Sequence, residues 1–341
     1  MSKKSVWEGC VKAVYGLLFF LLISMSAYIF YGALDTLQYA EALEKLLQGK
    51  AALVFVFITS LLLCACLACV LYRLLPILER RFRRSVLLLF GGMILLQVLM
   101  VLTVRTSLRQ DHLKIFDTAV ALLEGKSIGE SHFGHYFMKY PNNIPLCLFT
   151  ALWLKPASLL GIPQDAWMEL MKLVNLLFMN LGLFCTFSLI CKYRSERNGL
   201  IFLLLLFANP LWYLLGQMYY TSTISLAFSM GAVWLSDRAG GQKILWKKYL
   251  LYLLMGVLLA FGYKIRATVI ITAAALLIYG VLERRTLPRA KEAAGVLFVL
   301  AGVTAVFLLY GAAEKRYAGF EPSETGYPAV HWVMMSAQGE G

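Results

Sequence analysis

The chain has 341 residues, 60% of them hydrophobic and only 15% charged. Soluble domains carry about 45–50% apolar and about 25% charged residues, so this balance excludes an ordinary soluble enzyme and points to an integral membrane protein. A net charge of +13 would suggest nucleic acid in a soluble protein, but here the basic residues cluster between apolar runs, as in loops that face an anionic leaflet, and no nucleic-acid partner is expected.

A helix that crosses a bilayer needs about 20 mostly apolar residues. The candidates are 11–33, 51–77, 85–104, 167–191, 199–216, 220–236, 248–263, 267–282 and 294–312. The first of these has no small-residue cleavage site and reads as a retained span rather than a signal peptide. Lys3, Lys4 and Lys12 place the N-terminus inside, and the segment ERRFRR at 79–84 is then inside after the second span. The third span puts 105–166 on the outer side. Later basic clusters (Lys192, Arg194 and Arg197; Arg238, Lys243, Lys247 and Lys248; Arg284, Arg285, Arg289 and Lys291) all fall inside only if the apolar piece at 144–162 does not cross. Its apolar run, Leu146 to Leu154, is short, and Lys155-Pro156 follows it. The expected fold is all-α: a polytopic transmembrane helical bundle of about nine spans, N-terminus inside, with two juxtamembrane helices in a large outer loop. It reads as one domain over 1–341. The tail at 313–341 carries nothing that reads as a finished domain, so a C-terminal part is expected to be missing.

Within the outer loop, Leu113, Phe116, Val120 and Leu123 fall on one helical face, and Asp111, Lys114 and Thr118 on another. Gly125 suits a helix C-cap, and a second helix is expected after Tyr140-Pro141-Asn142-Asn143. Asp111 is the first acid after its span. It reads either as a general base that takes a proton from an acceptor hydroxyl or as a helix-start acid. A near copy of its surroundings occurs at Asp35, but the next span there follows Lys50 at once and leaves no room for a second surface helix. Asp117 lies six positions on and points away from Asp111.

Lys264 and Arg266 sit on the side where positive charge is sparse, as ligands for an anionic headgroup such as a lipid phosphate or as snorkelling cations. Tyr140 and Asn142 suit sugar recognition or an interfacial belt, and Tyr219, Tyr220 and Trp212 are read as belt residues. His132 and His135 form an HxxH pair without a third ligand at sensible spacing. No metal is expected, and His135 is read as a contact to a substrate phosphate or sugar. Cys64, Cys66 and Cys69 read as helix-packing residues. No other cofactor is indicated, and in the absence of a nucleotide-sugar domain any sugar donor is lipid-linked.

These features resemble the GT-C superfamily of bacterial membrane glycosyltransferases, in particular the branch that includes protein O-mannosyltransferase-like and aminoarabinose-transferase-like proteins. The resemblance is carried by Asp111 with Ala119 and Gly125, Tyr140-Pro141, Asn209-Pro210, Tyr220-Thr221 and Gly262-Tyr263-Lys264. The chain departs from that pattern in placing its acidic loop after the third span instead of the first, and in carrying Thr221-Ser222-Thr223 where an outer Asp-Pro is usual. The resemblance implies transfer of a sugar from a polyprenyl-phosphate donor to an acceptor hydroxyl of a cell-envelope glycan or protein. Asp111 would be the base, and Lys264 or Arg266 would stabilise the departing phosphate. Membrane lipids are the remaining expected partners. A flippase, transporter or assembly partner for lipid-linked saccharides is the alternative expectation.

Overall fold

The structure, a computed structural model, describes residues 62, 70, 73–104, 110–283 and 290–321. The chain divides into two compact units, Met1–Pro76 and Ile77–Gly341, and nearly all described residues belong to the second. The first expected span, most of the second, Asp35 and its surroundings, Arg284, Arg285, Arg289 and the end of the tail lie outside the described residues.

All regular structure among the described residues is helical. Helix α1 (Phe82–Thr103) leads to the loop that the sequence singles out. That loop contains α2 (Gln110–Leu123), the short α3 (Gly134–Lys139), a 3-10 turn (Pro141–Asn143) and α4 (Ile144–Leu159). Helix α2 stops at Gly125, whose φ of +89° reverses the chain. The N–H of Lys126 then reaches the carbonyl of Ala121 at 3.1 Å and that of Gly125 the carbonyl of Leu122 at 3.2 Å. Helix α4 begins directly after the Tyr-Pro-Asn-Asn turn, as expected, and has 16 residues, fewer than a crossing needs. Pro156 does not end it. Proline removes one backbone hydrogen bond, and the flanking residues continue the helix to Leu159.

The buried face of α2 is rotated from the expected one. Ile115, Phe116, Thr118 and Ala119 are buried, because α4 covers one side and residues 127–133 another. Thr118 was expected to share the polar face. Instead its hydroxyl sits 3.3 Å from that of Ser131, so it is buried without being left unpaired.

The remaining chain runs back and forth as α5 (Trp167–Tyr193), α6 (Glu196–Phe207), α7 (Pro210–Gly216), α8 (Thr221–Gly241), α9 (Leu245–Ile265), α10 (Val269–Glu283) and α11 (Ala290–Tyr317). The segment expected as one span at 199–216 is broken into α6 and α7, bent by 69°. The Asn209-Pro210 pair causes the break. Proline cannot donate back to the preceding turn, and the Asn209 side chain caps the new helix by accepting from the N–H of Leu211 at 3.0 Å. Helices α9 and α11 pack with their backbones nearly touching, because Gly256 and Gly302 leave no room for a Cβ against Val299 and Leu253.

By length and composition, four helical segments among the described residues are able to cross a membrane: α1, Gln164–Tyr193, α9 and Ala294–Tyr317. A fifth is added if α6 and α7 form one bent span. Serine, threonine and glycine dilute the apolar content of α8, and α10 has only 15 residues. The helix ends gather into two sets. At one, Glu79 meets Arg197, and Lys192 and Tyr193 meet Asp237. At the other, the 110–166 loop meets the start of α8 and the ends of α9 and α11. The second set holds the candidate site.

Candidate active site

Asp111 lies in the first turn of α2, directly after Gln110, whose φ of 51° is left-handed. A left-handed non-glycine residue is uncommon and marks a backbone held in place by its surroundings. The carboxylate is held mainly by neutral hydroxyls. Tyr220, which precedes α8, donates to Oδ2 at 3.2 Å, and the hydroxyl of Tyr136 on α3 also hydrogen-bonds to Asp111. Lys114, one turn along α2, keeps its ammonium 3.8 Å from Oδ1 while lying 4.3 Å from the centre of the Tyr136 ring. Asn143 donates to the Tyr136 hydroxyl and also hydrogen-bonds to Tyr220. The ring of His112 lies 4.6 Å from that of Tyr220.

Burial, reinforced by the negative charge of Asp111, pushes the Tyr220 hydroxyl up to about 12 and that of Tyr136 well above the usual tyrosine value. Both therefore stay protonated at neutral pH and act as donors.

Arg266 belongs to the same cluster. It follows α9 directly, donates to the Thr221 hydroxyl at 3.2 Å and acts electrostatically on Tyr220. Tyr220 thus interacts with both the carboxylate and the guanidinium. Its position is fixed from below. The buried Asn175 of α5 directs its amide nitrogen to the carbonyls of Leu215, Gly216 and Met218 at 3.1, 3.1 and 3.2 Å, holding the end of α7. The hydroxyl of Tyr219 meets that of Thr150 on α4 at 2.7 Å.

The structure does not gather every expected residue. Lys264 turns away to the aromatic rings of α11. His135 and Asn142 are exposed near the loop surface, and the half-buried Tyr140 places its ring 5.0 Å from that of Tyr136. The asparagine that faces the cluster is Asn143, which is buried. Tyr219 and Tyr220 are not belt residues: the first is fully enclosed and the second reaches the acid. Tyr136 was missed altogether. The only sequence signal for it was its place two residues inside a short helix among other aromatics. Asp117 lies apart from Asp111, beside His132, at a cavity of about 200 Å³ on another side of α2. Among the described residues, no three His, Cys, Asp or Glu side chains converge as metal ligands.

A larger, open groove of about 440 Å³ is lined by Phe149, Trp153, Phe178, Phe228, Phe261 and neighbouring apolar groups. Phe149 is five residues beyond Ile144, Phe228 seven beyond Thr221 and Phe261 five before Arg266. At 1.5 Å per helical residue, this slot begins roughly 8–10 Å along the bundle from the polar cluster.

Comparison with known proteins agrees with the membrane architecture. Residues 5–341 match a family described as conserved hypothetical integral membrane protein. No curated protein and no solved structure matches the chain. With four or five helical segments among the described residues able to span a bilayer and a family match over nearly its whole length, the chain belongs to this family of conserved hypothetical integral membrane proteins.

Proposed function

We propose that the chain is a multi-pass membrane glycosyltransferase. It moves a sugar from a polyprenyl-phosphate donor to a hydroxyl of a cell-envelope glycan or protein, with Asp111 as general base. The observation that carries this reading is that Asp111 and Arg266 both act on Tyr220, the first as its hydrogen-bond acceptor and the second electrostatically from its bond to Thr221. The acceptor hydroxyl gives its proton to Asp111 as its oxygen bonds to the anomeric carbon. The bond from that carbon to the phosphate oxygen breaks on the opposite face, and the phosphate leaves with the electron pair. Arg266, which is partly buried, meets the charge that develops on the phosphate. A single displacement inverts the anomeric centre, and the scheme needs no metal. The aromatic slot below the cluster has the size and apolar lining to take the first isoprene units of the donor. His135 and Asn142 lie at the rim, where they suit contact with the acceptor or sugar. About nine crossings, with the cluster on the extracytoplasmic side, fit the distribution of basic residues.

The broken α6–α7 span, gripped by Asn175, favours a second reading: a flippase or transporter for lipid-linked saccharides. One experiment separates the two. Membranes containing the protein are incubated with a polyprenyl-phosphate sugar and assayed for both covalent transfer and movement across the bilayer. Transfer that is lost in Asp111→Asn supports the glycosyltransferase. Movement without a covalent product replaces it with the transporter. Full transfer by Asp111→Asn together with loss in Asp35→Asn shifts the base to Asp35.

A further inference from the structure

Lys264 and Arg266 are two residues apart, yet they serve different partners. Arg266 turns to Thr221. The ammonium of Lys264 lies 4.5 Å from the centre of the Phe307 ring and 4.3 Å from that of Tyr310, one turn apart on α11. Tyr310 donates to Glu314 at 3.0 Å, and the Glu314 carboxylate attracts the ammonium electrostatically. The neighbouring Tyr263 ring stacks on Phe307 at 6.2 Å. A cation held between ring faces at the edge of the bilayer is poorly hydrated, which strengthens its hold on the rings.

Helix α11 ends a few residues later, and its last carbonyls are used. The Ile128 N–H donates to Tyr317 at 2.8 Å, and the Gly129 N–H donates to Ala318 at 2.8 Å. Gly319, with φ +74°, lies against Ser127, and Phe320 packs on the apolar core beneath the loop. On the other side of this junction, Gly134 at the start of α3 packs on Gly129 too closely to admit a Cβ. Two residues further is Tyr136, bonded to Asp111. A continuous path of contacts therefore runs from Lys264 through the end of α11 and residues 128–129 to the roof of the site.

We infer that Lys264 is a positioning residue. Its grip on Phe307 and Tyr310 sets the height of α11 against α9. Through the strap between residues 317–319 and 127–129, it holds Tyr136 over Asp111 while Arg266 keeps the opposite wall. The inference rests on reading the Asp111 cluster as the working site, but its test does not need the transfer reaction.

Ile128 is fully enclosed by the strap, so an Ile128→Cys variant reports whether the strap is closed. Purified protein in detergent is treated with a soluble maleimide, and labelling is compared with that of the chain lacking the added cysteine. The added cysteine should react slowly. A second change, Lys264→Met, should raise its rate at least fivefold, Glu314→Gln about twofold, and Lys264→Arg should restore protection. Each variant is scored only as a monodisperse species, and Glu314→Gln with Lys264→Arg carries the test if Lys264→Met does not fold. Unchanged labelling in the methionine and glutamine variants overturns the inference. Where transfer is measurable, Lys264→Met should lower kcat and leave the donor KM within about twofold. A raised donor KM with unchanged labelling would make Lys264 a phosphate ligand instead. Altered labelling without any transfer activity upholds the strap and removes the glycosyltransferase reading.

Discussion

Two aspartates, at opposite ends of the same bundle, are each held by tyrosine hydroxyls and a lysine. Asp237 on α8 takes Lys192 and Tyr193 on the same oxygen, and its side chain is 7% exposed. It is a closed ion pair that ties the end of α8 to the end of α5. Asp111 takes its closest contacts from neutral hydroxyls, its lysine stands off at 3.8 Å, and its side chain is 39% exposed. A carboxylate committed to an adjacent ammonium has little capacity to accept a further proton. One held by neutral donors is oriented while an oxygen stays open to solvent. The partner lists look alike, yet the second arrangement suits proton transfer and the first suits fastening.

The sharpest way to break this comparison is to neutralise each acid in turn. Asp111→Asn should lower sugar transfer by about 10²- to 10⁴-fold, the usual contribution of a positioned base, while the protein still purifies as a single species. Asp237→Asn should leave transfer within about twofold and cost on the order of 1 kcal/mol of stability, read from thermal unfolding in detergent, because Lys192 is largely solvated. Equal loss of transfer in both variants would erase the distinction. A smaller effect is expected from the orienting hydroxyls. Tyr220→Phe or Tyr136→Phe each removes a donor to a charged acceptor, worth about 1.5–3 kcal/mol, so kcat should fall roughly ten- to a hundredfold. Lys192→Met at the other end should leave kcat unchanged. The support below is tested by Thr150→Val, which strands the buried Tyr219 hydroxyl and should cost about 1–3 kcal/mol of stability.

The smallest expected effect is a dependence on pH. The Tyr220 hydroxyl is raised to about 12 in the folded chain, against about 10 when unfolded. Above about pH 10 the unfolded chain releases this proton first and is favoured. The contribution is therefore complete at neutral pH and lost as pH rises through about 12. Melting temperatures measured from pH 9 to 12 should fall less steeply for Tyr220→Phe than for the wild type.

The all-helical, membrane-spanning class was legible because apolar length is a property of sequence that the bilayer enforces, whereas four or five of the about nine expected spans meet the length and composition of a crossing among the described residues. The α4 start after Asn143 and the Gly125 stop were legible for a local reason: proline and a positive φ act on their own neighbours. The place of Asp111 after a span, in the first turn of a short amphipathic helix, was legible. What surrounds it was not. Tyr136, Asn143 and Tyr220 come from three separate segments, and nothing in the spacing of those segments states which hydroxyl will meet the acid. Lys264 and Arg266 illustrate the limit most directly. Lys264 is in the last turn of α9 while Arg266 lies just past its end with extended backbone, so their sequence spacing does not say that one meets α8 and the other α11. Asn209-Pro210 stands out in the sequence, but the apolar residues on both sides of it make 199–216 read as one span where the structure has a 69° bend.

The strap between residues 317–319 and 127–129 also has a consequence for biogenesis. Its two halves are separated by nearly the whole bundle in sequence, and such distant pairings form late because long loops must close first. Helices α2 to α4 emerge from the ribosome early, yet the segment that fastens them is the last helix described. Until α11 has entered the membrane, residues 127–131 lack those partners and Tyr136 lacks the support that rests on them. An insertion intermediate stopped before Tyr317 should thus carry Asp111 on an unfastened loop, competent to span the bilayer but not to assemble the cluster.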